Sequence, residues 1–112
     1  MPRDYKIYLT DILESIEKIE DYAKNVSFED LSSDEMRKDA IIRNLMVIGE
    51  AAKNIPKDIR SKSTEIEWEK ISGLRDILIH QYFGTDLDTL WDVIKNNLPM
   101  LKRNIRVLIK KI

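Results

Sequence analysis

The sequence contains no cysteine among its 112 residues. This absence excludes a disulfide framework, a thiol nucleophile and a cysteine-ligated zinc site, and it suits a reducing cytoplasm. Glycine and proline number only three each, which leaves little turn chemistry for the many tight connections of an all-β fold. We therefore expect one all-α domain over residues 1–112, located in the cytoplasm.

The chain also lacks a long uninterrupted run of apolar residues. A membrane-spanning helix needs about 20 of them in succession, and the first residues, MPRDYKIYL, do not contain the apolar stretch of a signal peptide. Hydrophobic residues make up 43% and charged residues 35% of the chain, a composition typical of folded domains rather than of disordered chains. The sequence thus predicts a protein that is neither exported nor embedded in a membrane.

No strong charge of one sign marks the whole chain, since its formal net charge is -1. The distribution is uneven, because residues 95–112 hold six basic and no acidic side chains and carry +6, while residues 1–94 carry -7. The six are Lys95, Lys102, Arg103, Arg106, Lys110 and Lys111. Two interpretations remain open: these cations stabilise the C-terminal end of a helix through its macrodipole, or they form a patch that faces phosphate.

Two long helices are predicted in the first half of the chain, where apolar residues recur at steps of three and four. The first covers residues 5–26 and is followed by a turn-like stretch, residues 27–33. The second covers residues 34–55, with Ser33 as its N-cap and Pro56 ending it. We expect these two helices to form an antiparallel hairpin.

A third helix is predicted from Trp68 to Phe83, after a short helical turn and a loop between Pro56 and Ile66. Gly84 follows it, and glycine readily adopts the left-handed conformation that ends many helices. This third helix carries the residues with the clearest potential for chemistry.

The last predicted helix covers residues 90–112, capped by Asp86 or Asp88. Pro99 is expected to kink it or to split it into two segments, since proline cannot donate the backbone hydrogen bond of a helix interior. The pattern as a whole predicts an up-and-down bundle of four to five helices.

His80 is the only histidine in the chain. Its ordinary pKa of about 6.5 makes histidine the readiest proton carrier at neutral pH. Asp76 precedes it by four residues, a spacing that lets the carboxylate contact the imidazole and favours the protonated ring. Arg75 and Tyr82 are seven residues apart and project from nearly the same face of a helix. A histidine that is packed or exposed without a chemical role is the alternative interpretation.

Arg75 and His80 are separated by about 140° around an ideal helix, so one helix does not easily bring them together. Apolar surface spreads around much of this helix, which indicates two packing neighbours, from the chain itself or from a second copy. A symmetric dimer would place two Arg75 and two His80 side chains in one cleft. Cleavage of RNA by its own 2′-hydroxyl needs a base, an acid and a cation for the developing charge, and this set would supply them.

The segment Arg75 to Tyr82, RDILIHQY, resembles the motif of the HepT-like toxins in the HEPN superfamily: arginine, four residues, histidine, one residue, tyrosine. Two further matches support it. They are Gly49-Glu50-Ala51-Ala52-Lys53, and Tyr82-Phe83-Gly84 followed by Asp86 and Trp91. Together with the order of helices, the resemblance covers essentially the whole chain.

The resemblance implies a homodimeric HEPN-like bundle that acts as a metal-independent endoribonuclease without a cofactor. Arg75 and His80 of both protomers would line a cleft that binds RNA, and the spacing of Asp76 to His80 adds this carboxylate to the candidate catalytic residues. It also implies the toxin of a type VII-like toxin–antitoxin pair, whose partner is a minimal nucleotidyltransferase antitoxin. This antitoxin would transfer AMP from ATP to Tyr82, adding bulk and negative charge beside the arginine and blocking the cleft.

Two positions leave alternatives open. Asp76 stands where family members often carry asparagine, and a carboxylate there would strengthen His80 as a cation but repel an incoming phosphate. Glu50 is expected either to orient groups near the cleft or to be a solvated charge. The alternative function is a non-catalytic binding partner of a nucleotidyltransferase, and a helical dimerisation domain without chemistry is a third interpretation.

Overall fold

The computed structural model of the protein describes residues 4–74 and 87–112. Within these ranges the chain is helical and contains no β-strand, which confirms the predicted all-α class. No helix among the described residues combines the length and the apolar character that crossing a membrane requires. In chain order the elements are α1 Tyr5–Ala23, α2 Phe28–Ser33, α3 Glu35–Lys53, α4 Lys57–Arg60, α5 Trp68–Ser72, α6 Leu87–Asp92, the π-helical turn Val93–Asn97 and α7 Leu98–Lys111.

Helix α1 is confirmed, with its end three residues earlier than predicted. Its N-cap is Asp4, whose carboxylate accepts a hydrogen bond of 2.9 Å from the backbone N–H of Lys6. Beyond Ala23, Asn25 adopts a positive φ of 59°, a left-handed conformation that asparagine tolerates and that cannot continue a helix. One face of α1 is buried, and it consists of Leu9, Ile12, Ile16, Ile19 and Ala23.

The prediction of a turn before the second long helix is wrong, because Phe28–Ser33 forms helix α2. Ser27 Oγ accepts a hydrogen bond from the N–H of Asp30 (3.0 Å), and the Asp30 carboxylate accepts one from the N–H of Ser27 (3.4 Å). This reciprocal pair is a capping box, which satisfies two N–H groups that a helix start leaves unpaired. Ser33 is consequently the last residue of α2, and the N-cap of α3 is Asp34.

Helices α1 and α3 run antiparallel, as the sequence predicted, with α2 in the connection between them. Arg37 Nη1 donates to the carbonyl of Tyr22, which joins the start of α3 to the end of α1. At the opposite end, Tyr8 near the start of α1 faces Ala51 and Asn54 near the end of α3. The core between the two helices is aliphatic, and its fully buried members include Ile12, Ile16, Ile41, Leu45 and Ile48.

The corner after α3 is organised by Arg60 and Trp68. Arg60 Nη2 and Nε donate to the carbonyls of Ala52 (2.7 Å) and Ile55 (3.0 Å), so a charged donor binds carbonyls at and just beyond the end of α3. The Trp68 indole N–H donates to the carbonyls of Arg60 (3.2 Å) and Ser63 (3.1 Å), and the guanidinium lies 5.8 Å from the indole ring centroid. This Arg60–Trp68 cluster fixes the start of α5 against the end of α3.

The third helix begins at Trp68, as predicted, but it does not continue unbroken. Helix α5 ends at Ser72, and the N–H of Gly73 donates to the carbonyl of Glu69 at 3.0 Å as its C-cap. Glycine loses more backbone entropy than any other residue inside a helix, so ending the helix at Gly73 costs little free energy. The remainder of the predicted helix and its expected cap, Gly84, lie outside the described residues.

Pro99 splits the C-terminal helix, which confirms the predicted interruption. The π-helical turn Val93–Asn97 separates α6 from α7, and Pro99 lies in the first turn of α7. In a continuous α-helix the proline ring would clash with the carbonyl four residues earlier, and the wider turn relieves that conflict. The start of this region differs from the prediction, because the described part of α6 covers Leu87–Asp92 and Asp88 therefore lies inside a helix rather than at its cap. Asp86 lies outside the described residues.

Candidate functional site

The four residues of the predicted chemical centre lie in the segment 75–86, which is outside the described residues. They are Arg75, Asp76, His80 and Tyr82, and Phe83, Gly84 and Asp86 lie in the same segment. Glu50 and Trp91 are described. The structure therefore describes the residues on either side of this segment, up to Leu74 and from Leu87 onwards.

Leu74 lies in the wall of a cavity of about 270 Å³ between α5 and the start of α7, the α5–α7 pocket. One part of the lining is apolar and consists of Ile71, Leu74, Val93, Leu98, Met100 and Leu101. The other part is polar and consists of Glu65, Glu67, Lys70, Asn96, Asn97 and Asn104. The lining thus combines an apolar surface with several hydrogen-bonding side chains, as small-molecule sites commonly do.

The cation at the edge of the α5–α7 pocket is paired. Lys70 Nζ lies 2.7 Å from Glu67 Oε2, and this hydrogen bond raises the pKa of Lys70 above its ordinary value of 10.5. Both side chains are largely exposed, so the pair adds little to stability. Lys70 stays charged at neutral pH, but its charge is offset locally by the carboxylate.

Glu50 lies on the exposed side of α3, four residues before its C-cap, Asn54. Its neighbours Gly49 and Ala51 are buried, so the small residues of this run pack inward and the carboxylate points outward. Glu50 Oε1 lies 3.8 Å from Lys53 Nζ, at the long end for an ion pair. The orienting role expected for Glu50 stays a prediction, because the residues it would orient lie outside the described ranges.

A long groove follows α1 and α3 on the side where Glu50 lies, the α1–α3 groove. It consists of two adjoining cavities of about 620 and 440 Å³ that share Asp11, Arg43 and Val47. Charges of both signs line it, from Asp11, Glu14, Lys18, Asp39, Arg43 and Glu50. The sequence analysis missed this groove, because charged residues on the outer faces of two amphipathic helices are ordinary and nothing in their spacing marks a concave surface.

Trp91 lies on α6, the helix that follows the candidate segment, and packs against α2. Its ring is half-buried and meets Phe28 of α2 edge to face, with centroids 5.9 Å apart and planes at 85°. Lys95 Nζ lies 4.7 Å from the centroid of the indole ring, within the range of a cation–π contact. The Arg60–Trp68 cluster supports the chain before residue 75, so both ends of the candidate segment continue from packed tryptophan-containing surfaces.

Comparison with known proteins gives one consistent result. The model of the family described as ribonuclease HepT-like matches residues 12–108. A protein named probable ribonuclease HepT, from Thermococcus cleftensis, is 46% identical over 91% of this chain and 93% of its own length. A protein of Methanocaldococcus jannaschii named as a putative RNase is 44% identical over 98% of this chain and 91% of its own length.

A longer relative carries the similarity in part of its chain. It is the gamma-glutamylcyclotransferase and putative RNase of Methanocaldococcus jannaschii, 47% identical over 94% of this chain. The present chain spans 47% of the length of that relative. No solved structure gave a significant match.

Proposed function

Because this chain belongs to the HepT-like ribonuclease family, we propose that it is a metal-independent endoribonuclease and the toxin of a type VII-like toxin–antitoxin pair. The observation that carries the proposal is the family match over residues 12–108, which includes the RDILIHQY segment at Arg75 to Tyr82. The proposed substrate is RNA, attacked by its own 2′-hydroxyl.

The proposed reaction needs two proton carriers. His80 in its neutral form takes the proton of a 2′-hydroxyl, and the 2′-oxygen forms a bond to the adjacent phosphorus. The bond from phosphorus to the 5′-oxygen breaks, and a second, protonated histidine donates its proton to that leaving oxygen. The products are a 2′,3′-cyclic phosphate and a 5′-hydroxyl. Arg75 binds the non-bridging phosphate oxygens, where negative charge develops.

The second histidine comes from a second copy of the chain in this proposal. Each chain has a single histidine, and a two-fold symmetric dimer presents the same surface twice. Arg75 and His80 are also five residues apart, which on one helix separates them by about 140°. A cleft at the dimer axis would accommodate both facts. Asp76, four residues before His80, would have two opposing effects in it, because contact with the imidazole favours the protonated ring whereas the negative charge repels the RNA phosphate.

The proposed control is covalent. A minimal nucleotidyltransferase antitoxin would join Tyr82 Oη to the α-phosphorus of ATP, with release of pyrophosphate. The attached AMP carries a negative phosphate, which competes with RNA for the guanidinium of Arg75 and adds bulk to the cleft.

Cleavage in chelator tests the ribonuclease proposal. Unmodified purified protein incubated with total RNA and EDTA is expected to produce fragments ending in 2′,3′-cyclic phosphates. His80→Ala should lower the rate by about 10²–10⁴-fold, the usual contribution of acid–base catalysis. Lys57→Ala, at an exposed position on α4, is the control and should cleave at the parental rate. Absence of cleavage, or equal cleavage by the His80→Ala protein, would overturn the proposal.

A second candidate function is a non-catalytic partner of a nucleotidyltransferase that presents Tyr82 for modification. It is favoured by Asp76 in place of the frequent asparagine, and by a net charge of -1 that gives no general attraction to RNA. A mass increase of AMP units on Tyr82 fits both functions, so cleavage separates them. Equal toxicity of the parent and His80→Ala proteins in cells would support this second function.

A further inference from the structure

Helix α7 carries most of the basic residues of the segment 95–112, and two of these cations form ion pairs with α1. Lys102 Nζ lies 2.8 Å from Glu20 Oε1, and Arg106 Nη2 lies 3.8 Å from Glu17 Oε1. These pairs occupy the flank of α7 that faces α1. The buried face of the helix is formed by Leu98, Leu101, Ile105 and Leu108.

The opposite face of α7 is a stripe of alternating apolar and basic residues, which we term the α7 stripe: Met100, Arg103, Val107 and Lys110. Their spacing of three, four and three residues places them on one side of the helix. Met100 is 54% and Val107 51% exposed, and Arg103 and Lys110 are exposed as well. Neither cation makes an ion pair or hydrogen bond within the part of the chain that the structure describes.

The helix macrodipole accounts for only part of this charge. Its effect is confined to about the last turn of a helix, and α7 ends at Lys111, so it favours Lys110 but not Arg103, two turns earlier. Single exposed apolar residues are common on protein surfaces, but here they alternate with unpaired cations. A polyanion that also offers apolar faces complements this pattern, and single-stranded RNA, with phosphates and unstacked bases, is such a molecule.

The α7 stripe is continuous with the α5–α7 pocket. Met100 belongs to both, and Leu74, in another part of the pocket lining, is the residue that precedes Arg75 in the chain. Asn97 and Asn104 also line the pocket, and an asparagine side chain has the donor and acceptor that base edges require. An RNA strand bound next to Leu74 would therefore meet a concave, partly apolar surface that continues into the α7 stripe.

We propose that the α7 stripe and the α5–α7 pocket together bind the single-stranded RNA that flanks the cleaved bond. Arg103 and Lys110 contact its phosphates, and Met100 and Val107 contact base faces. The inference rests on the proposed ribonuclease function for its ligand, and it adds a site for that ligand away from the candidate catalytic residues.

Removal of the two unpaired cations tests the inference. The double variant Arg103→Gln/Lys110→Gln is compared with Lys24→Gln/Lys57→Gln, which removes the same charge from exposed positions outside α7. The probe is a fluorescent single-stranded RNA methylated at every 2′-oxygen, which the proposed reaction cannot cleave. Its Kd for the α7 variant should rise about ten-fold in low salt. The negative slope of the logarithm of the association constant against log salt concentration should become shallower by about 1.4, since each lost phosphate contact removes about 0.7 for single strands.

A kinetic readout accompanies the binding measurement. With unmodified long RNA, the α7 variant should show a higher KM and an unchanged kcat, because the lost contacts lie outside the reacting centre. The Lys24→Gln/Lys57→Gln control should stay within about two-fold of the parent in both parameters, as expected for surface charges that touch no ligand.

The outcomes separate this inference from the ribonuclease proposal. If the parent cleaves RNA and the α7 variant binds and cleaves as the control does, the RNA site is overturned and the ribonuclease stands. If the parent binds RNA through Arg103 and Lys110 but does not cleave it, the site stands and the ribonuclease fails. If the parent neither binds nor cleaves RNA, both fail. If sedimentation shows that only self-association changes in the α7 variant, the stripe is an interface between copies and the RNA site is overturned.

Discussion

Arg60 illustrates how one side chain can organise a corner that its local sequence does not mark. It lies in a polar, mixed segment, where an arginine is usually solvated. In the structure its donors reach back to the carbonyls of Ala52 and Ile55, and its guanidinium packs near the ring of Trp68. These contacts depend on how α3, α4 and α5 meet, so no local pattern could predict them.

Replacement of Arg60 should destabilise the fold measurably. Arg60→Ala leaves the carbonyls at the end of α3 without their charged donor and removes the contact with Trp68. We expect the free energy of unfolding to fall by about 2–3 kcal/mol, measured by urea denaturation followed by circular dichroism. Arg103→Ala, at an exposed position on α7, is the matched control and should change it by less than about 0.5 kcal/mol. Equal stability of both variants would show that the Arg60 contacts are dispensable.

Asp76 gives a second test at the scale of a residue. If Arg75 binds the RNA phosphate as proposed, a carboxylate beside it repels that phosphate, and Asp76→Asn removes the repulsion. We expect kcat/KM for RNA cleavage at neutral pH to rise about three-fold, the size of a solvent-screened charge interaction. Asp58→Asn, on the exposed side of α4, controls for the change in net charge. A decrease in kcat/KM specific to Asp76→Asn would instead indicate that the carboxylate assists His80.

The long elements were predictable, and the short ones and the breaks were only partly so. Helices α1 and α3 bury one face over five turns, a repeat long enough to read from sequence. Helix α2 has six residues, too few for a period, and only its capping box could have indicated it. The break at Gly73 was missed because apolar residues continue on both sides of it. The break near Pro99 was predictable because proline lacks the backbone N–H that a helix interior needs.

The junction of α2 and α3 should respond to acid. Hydrogen bonds from the backbone N–H and then the side chain of Arg37 hold the pKa of Asp34 below its ordinary value of 3.8. A lowered pKa in the folded state means that the ionised carboxylate stabilises the fold above pH 3.8, and that this contribution is lost as the pH falls through the folded-state value.

Asp34→Asn isolates that contribution, because asparagine caps a helix about as well as aspartate but does not titrate. The melting temperature of the parent should fall more steeply below pH 4 than that of the variant, measured by circular dichroism across a pH series. Asp58→Asn, at an exposed position on α4, should keep the parental slope. If Asp34→Asn also keeps it, the pairing with Arg37 does not contribute to acid sensitivity.

At the scale of the whole molecule, the candidate reacting residues are predicted from the sequence alone. Spacing and resemblance selected Arg75, His80 and Tyr82, and the structure adds the anchored surfaces before residue 75 and after residue 86. The pocket and the α7 stripe could not be predicted, because each depends on how distant helices meet. The arrangement of the motif residues themselves and the participation of a second copy stay predictions.

Mixing of subunits tests whether two copies share one site. If each dimer uses both His80 side chains, a dimer of one parental and one His80→Ala subunit is inactive. An equal mixture after complete subunit exchange should then retain about one quarter of the parental cleavage rate, the fraction of dimers with two intact copies. Independent sites would retain about one half. Sedimentation should give about twice the chain mass of 13.2 kDa, and a monomer that cleaves RNA would contradict the shared site.

The uneven charge of the chain has a consequence for the speed of encounter. Residues 95–112 carry +6 against -7 on residues 1–94, and α7 holds most of those basic residues, so the positive charge is concentrated in the C-terminal part of the chain. If α7 binds RNA as proposed, attraction between its exposed cations and the polyanion would orient α7 towards the RNA before the surfaces meet. The association rate constant should therefore decrease as salt is added, although the net charge of the protein is close to zero.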